Sequence, residues 1–156
     1  MTRSLLFAAA ALAIVFAGPA LAAPTPEAST KAPTSAAHTL TLTVEGVRSS
    51  KGQIMAALLK ADPVSGKAIQ TAATTVAAKD GAMTLVFSGL ADGAYAVQLF
   101  HDEDGDGKMS TNLFGIPTEG YAFSNRAKAG FGPPSFANMK VDVAGAETST
   151  VAIMAY

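Results

Sequence analysis

The sequence predicts an all-β protein, a single antiparallel sandwich of six or seven short strands. Three observations lead there. From His38 onward apolar and polar residues alternate with a period of two, as in HTLTLTV. Turn signals recur about every ten residues. No stretch beyond the first 37 residues repeats its apolar positions at helical spacing between recognisable caps.

In chain order, MTRSLLFAAAALAIVFAGPALAA reads as a signal peptide over 1–22. Arg3 supplies the basic start, Leu5 to Ala17 the apolar run, and Ala20-Leu21-Ala22 the small-residue pattern before a cut between Ala22 and Ala23. Gly18-Pro19 ends the run too early for a membrane span. Residues 23–37, APTPEASTKAPTSAA, have no large apolar side chain to bury and read as a disordered linker. Residues 38–156 then form one β-sandwich domain.

Within that domain Leu40, Leu42 and Val44 alternate with threonines, the pattern of a half-buried strand. Ser49 to Gly52 turn into QIMAALLKA, a more apolar strand, and DPVSGK is a loop. TAATTVAA is a weaker strand because alanine also suits a helix. Lys79-Asp80-Gly81 signals a tight turn before Met83, Leu85 and Phe87, which alternate. Leu90 to Gly93 turn again into AYAVQLFH. After a long irregular stretch, Phe136–Val143 and Thr148–Tyr156 are expected to close the sandwich as a pair across Ala144-Gly145. The short strands and turn spacing suit an immunoglobulin-like sandwich.

Lys and Arg total 11 against 12 Asp and Glu, and removal of Arg3 with the leader leaves a net charge near −2. That balance argues against nucleic acid or an anionic membrane surface as partner. With no cysteine, thiolate chemistry and cysteine-ligated zinc are excluded. Nothing after the leader is long and apolar enough to be a transmembrane segment.

Two stretches carry candidate chemistry. In HDEDGDGKMSTN, Asp102, Asp104 and Asp106 occupy alternate positions and Gly107 follows where a calcium loop turns sharply. The Lys108 carbonyl and Ser110 fill the next ligand positions. The twelfth is Leu113 rather than glutamate, so Glu103, Asn112 or Glu119 would have to supply the last oxygen. Weak Ca²⁺ binding and a metal-free acidic turn are both consistent with this pattern. The second stretch, 113–136, holds five of the nine aromatics that follow the leader, among glycines and prolines that exclude a regular helix or central strand. Its rings either pack as a satellite core or line a groove, with Tyr121, Phe123, Asn125 and Arg126 as contacts to a ligand. Arg126 and Lys128 could alternatively face the acidic loop. His101 beside Asp102 is the lone arrangement suggesting a base, and no nucleophile motif accompanies it.

The run HDEDGDGKMSTNLFGIPTEGYAFSN, followed by FGPPSF and preceded by GAYAVQLFHD, resembles the exported bacterial family DUF2141, with its HDxxGDGK and GIPxEGYxFSN segments. The resemblance covers roughly His38 to Tyr156. It implies a secreted sandwich similar to transthyretin-like modules, and it carries no catalytic residue. The expectation is therefore a periplasmic or secreted, non-enzymatic module that binds a protein partner or small ligand through residues 101–136. The alternative is a metal-assisted hydrolase using the acidic-loop carboxylates.

Overall fold

The computed structural model describes residues 37–156, so the expected signal peptide and all but the last residue of the expected linker lie outside the described residues. Alternation does what it predicts in β1 (His38–Val47). Leu40, Leu42 and Val44 are fully buried, and the threonines between them face outward. β1 is the middle strand of a three-stranded sheet, flanked by β4 (Gly81–Leu90) and β8 (Glu147–Ile153). The second sheet runs β3 (Ala68–Ala77), β2 (Gln53–Ala61), β5 (Gly93–Asp102) and β6 (Gly120–Phe123). A short β7 (Val141–Val143) pairs with Gly93 to Tyr95 at the start of β5.

The core lies between the sheets. Leu42, Leu85 and Phe87 on one side meet Ile54, Leu58, Val97 and Leu99 on the other. Each such apolar side chain contributes about 1.5–3 kcal/mol by leaving water. Eight strands in two sheets make the expected β-sandwich. Among the described residues no helix is long and apolar enough to cross a membrane.

Four expectations are corrected. Phe136–Val143 and Thr148–Tyr156 are not a hairpin. Phe136–Met139 is a single helical turn, α1, β7 joins the five-stranded sheet, and β8 joins the other. β8 lies parallel to β1, with Leu42 opposite Thr150, so the sandwich is not wholly antiparallel. The chain crosses between sheets at Ala144-Gly145, where Gly145 takes φ 83°, a conformation that disfavours side chains. The stretch 113–136 contains a strand after all, since Gly120–Phe123 pairs with Gln98 to His101. Finally, the turns at 79–81 and 90–93 carry the chain from one sheet to the other rather than joining neighbours.

One side of the sandwich is seamed. The amide of Tyr121 donates to the Ala155 carbonyl and the amide of Ala155 to the Tyr121 carbonyl, both at 2.9 Å, while the Met154 amide bonds Glu45. On the opposite side β3 and β4 are end strands.

Candidate functional site

The acidic loop grows from the end of β5. Asp102 is fully buried, and its two oxygens accept four hydrogen bonds. Oδ1 takes the amides of Gly105 (2.8 Å) and Asp106 (3.2 Å); Oδ2 takes Gln53 Nε2 (2.7 Å) and the Gly107 amide (3.0 Å). The Gln53 bond, followed by these amides, holds its pKa below the ordinary carboxylate value although burial opposes the charge. Gly105 and Gly107, at φ 78° and 76°, allow the amides to converge. Asp104 and Asp106 are exposed, and each accepts the amide two residues on. The three aspartates bring ligand atoms within 4.8 Å of one another, so these are the side chains that could hold a cation.

The remaining oxygen candidates are engaged elsewhere. Buried Glu119 accepts the amides of Glu103 (3.1 Å) and Ser110 (3.0 Å), clasping both ends of the loop. Asn112 Oδ1 accepts the amides of Phe114 and Ile116. Glu103 is forked by Arg48 and bonded by Ser49 Oγ, and the guanidinium pulls its pKa down to about 2. Lys108 is exposed.

Beneath the loop, His101 is fully buried. Its Nε2 donates to the Lys51 carbonyl at 2.7 Å, and its Nδ1 is hydrogen-bonded with the Tyr156 hydroxyl at 2.8 Å. The Tyr156 oxygen in turn accepts the Arg48 amide, and the Arg48 guanidinium lies 4.2 Å from the Tyr156 ring centroid. Both nitrogens of His101 thus belong to a network that ties β5 to the residues after β8. The other histidine, His38, places Nε2 2.9 Å from Asp92 Oδ1 at the far end of the domain's first strand.

The outer face of the five-stranded sheet, turned away from the core, is divided. At one end Leu59, Ala96 and Phe123 are covered by Ala127, Ala129, Phe136 and Met139. Buried Ser124 anchors this cover, accepting the Val97 amide (2.8 Å) and donating to the Met139 carbonyl (2.7 Å). At the other end Met55, Gln98, Phe100 and Tyr121 floor an open trough of about 880 Å³. The loop 114–117, with Phe114 and Ile116, and the loop 129–133, with Phe131, also line it. Phe114 is 88 % exposed and Phe131 wholly so.

Of the expected contacts, Tyr121 and Phe123 line the trough, while Asn125 and Arg126 do not. Asn125 and Arg126 take φ 57° and 52° in a 3₁₀ turn, and Asn125 Nδ2 donates to the Asn138 carbonyl. Arg126 and Lys128 border a smaller depression of about 350 Å³ beside Ile153 and Ala155. Neither of them forms an ion pair with the acidic loop. The satellite core and the groove expected of the aromatic stretch both exist and share Tyr121 and Phe123, while Phe136 belongs to the core alone and Phe114 and Phe131 to the groove alone. Sequence reasoning missed the floor residues Met55, Gln98 and Phe100. The available signal was QIMAALLKA, apolar at successive positions, which marks a strand covered on both faces.

Residues 42–151 match the model of a bacterial family described as "Uncharacterized protein conserved in bacteria (DUF2141)". The match spans more than half of the chain, and the chain belongs to this family. No curated protein and no solved structure matches it.

Proposed function

We propose that this member of the DUF2141 family is an exported, non-catalytic binding module that holds a small ligand in the trough. One observation supports the reading above the others: a single sheet face is roofed by the chain's own apolar residues at one end and left open at the other. The open end is bordered by large apolar side chains held in water. Exposed apolar patches around a preformed concavity are the ordinary signature of a ligand site, and the volume falls in the usual range of about 300–1,000 Å³. Export rests on the basic, apolar and small-residue segments of the leader. It predicts that the protein recovered from the periplasm or medium begins at Ala23.

The test is native mass spectrometry of the protein incubated with a small-molecule extract. The wild type is expected to carry an adduct that Gln98→Trp, which fills the floor from an exposed position, does not. An adduct retained by Gln98→Trp removes the trough from the reading.

A second reading, weak Ca²⁺ binding by Asp102, Asp104 and Asp106, is favoured by the convergence of their carboxylates. Calcium at ten times its dissociation constant adds about 1.4 kcal/mol, a shift of several degrees between EDTA and millimolar CaCl₂. No shift and no calorimetric heat would dispose of it. A metal-assisted hydrolase on the same loop predicts that Asp104→Ala abolishes turnover of a generic phosphoester.

A further inference from the structure

We infer that the occupant of the trough is an uncharged, elongated hydrocarbon compound lying across the strands, an inference that rests on the trough being a ligand site. The first ground is charge. Among the residues lining the trough there is no Asp, Glu, Lys, Arg or His; its polar side chains are neutral amides and hydroxyls such as Gln70, Thr75, Gln98 and Tyr121. An ion placed among them would lose hydration and gain no counter-charge. The complement of a wholly neutral lining is a neutral occupant.

The second ground is shape. The floor draws residues from β3, β2, β5 and β6, four successive strands of one sheet. Strands lie about 4.8 Å apart, so the floor runs roughly 14 Å across them. That suits an extended chain better than a compact ring.

The third ground is hydrogen bonding, and it separates a hydrocarbon from a peptide. Backbone groups of β2 and β5 are already engaged with neighbouring strands on both sides. A polypeptide crossing them would bury its own amides and carbonyls against Met55, Phe100 and Tyr121, mostly without partners. A hydrocarbon has no such groups. Phe114 and Phe131 both line the trough and are exposed, and an occupant touching them would remove the rings from water.

The experiment is fluorescence titration of the mature protein with N-phenyl-1-naphthylamine, a neutral apolar probe, followed by displacement with 1-decanol, decanoate and decyltrimethylammonium. Saturable binding is expected, with 1-decanol displacing the probe at least about tenfold better than either ion. The double variant Phe114→Asp/Phe131→Asp, altered at exposed positions where folding is insensitive, should raise the probe Kd by about tenfold or more. Circular dichroism checks that its fold is kept. Equal displacement by the charged compounds overturns the inference. So does sedimentation showing a wild-type dimer that the double variant dissociates, because the trough is then covered by a second copy. If the extract adduct is lost in Gln98→Trp while the probe fails to bind, the ligand class falls and the binding site stands. If neither adduct nor probe is found, both fall.

Discussion

The acidic loop and the trough are neighbours along the chain and treat their side chains in opposite ways. Between Asp102 and Glu119 the aspartates and Glu119 accept the loop's own amides, Glu103 is held by Arg48 and Ser49, and Asp102 alone accepts four hydrogen bonds. Around the trough, Phe114, Ile116 and Phe131 have no such inward partners and stand in water. The loop is the more conspicuous in the sequence, yet its groups are largely satisfied. The trough is lined by parts of the GIPTEGYAFSN and FGPPSF segments, which name no chemistry, yet it holds the unsatisfied surface. A functional site is better sought where side chains lack partners than where a pattern is densest.

Four substitutions test that contrast, in falling order of effect. Asp102→Ala leaves the Gly105 and Gly107 amides and Gln53 without an acceptor and opens a buried gap, while the Asp106 amide keeps Asp104. It should cost on the order of 3–5 kcal/mol in urea unfolding. A cost under about 1 kcal/mol would mean the loop does not depend on this hub. Phe123→Ala, in the roofed half of the outer face, should cost about 3 kcal/mol or more because the cover collapses only partly into the space.

Third, the Glu103 carboxylate, pulled down to about 2 by Arg48, contributes stability above the ordinary glutamate range. A depressed pKa means that this contribution is lost as pH falls through about 4 towards about 2, where the native state finally takes up the proton. Urea midpoints measured from pH 6 to pH 2.5 should therefore decline less steeply in Glu103→Gln than in wild type. Identical slopes would remove the Arg48–Glu103 pair from the account. The smallest effect is expected of Phe131→Ser, within about 0.5 kcal/mol, because the ring touches water on all sides. A large loss there would show that the ring is covered in solution and that the open half is not open.

Much of the fold was legible in the residues themselves. Leu40, Leu42 and Val44 announce a strand by local alternation, and the loop DPVSGK is closed by the Asp62 side chain as its composition suggests. β6 was hidden because four residues are too few to display a period, and their pairing with β5 is set by distant neighbours. The parallel contact of β8 with β1 joins segments about a hundred residues apart, which no local pattern encodes. At the site, the convergence of Asp102, Asp104 and Asp106 was legible from spacing alone. The role of Asp102 as acceptor for Gln53 was not, since that contact needs the register of β2 on β5. A groove at Tyr121 and Phe123 was expected, but its floor was hidden for the same reason: it is the outward face of four strands, assembled only when the sheet is.

The seam at Tyr121–Ala155 and the clasp of Tyr156 on His101 set an order of events during synthesis. β8 leaves the ribosome after every other described strand, yet it covers one whole flank of β1, the first. Until β8 and Tyr156 dock, β1 presents an unpaired margin and the His101 imidazole lacks its hydroxyl partner. A chain without β8 and the Tyr121–Ala155 seam lacks that closure and exposes the margin of β1 as a ready template for aggregation.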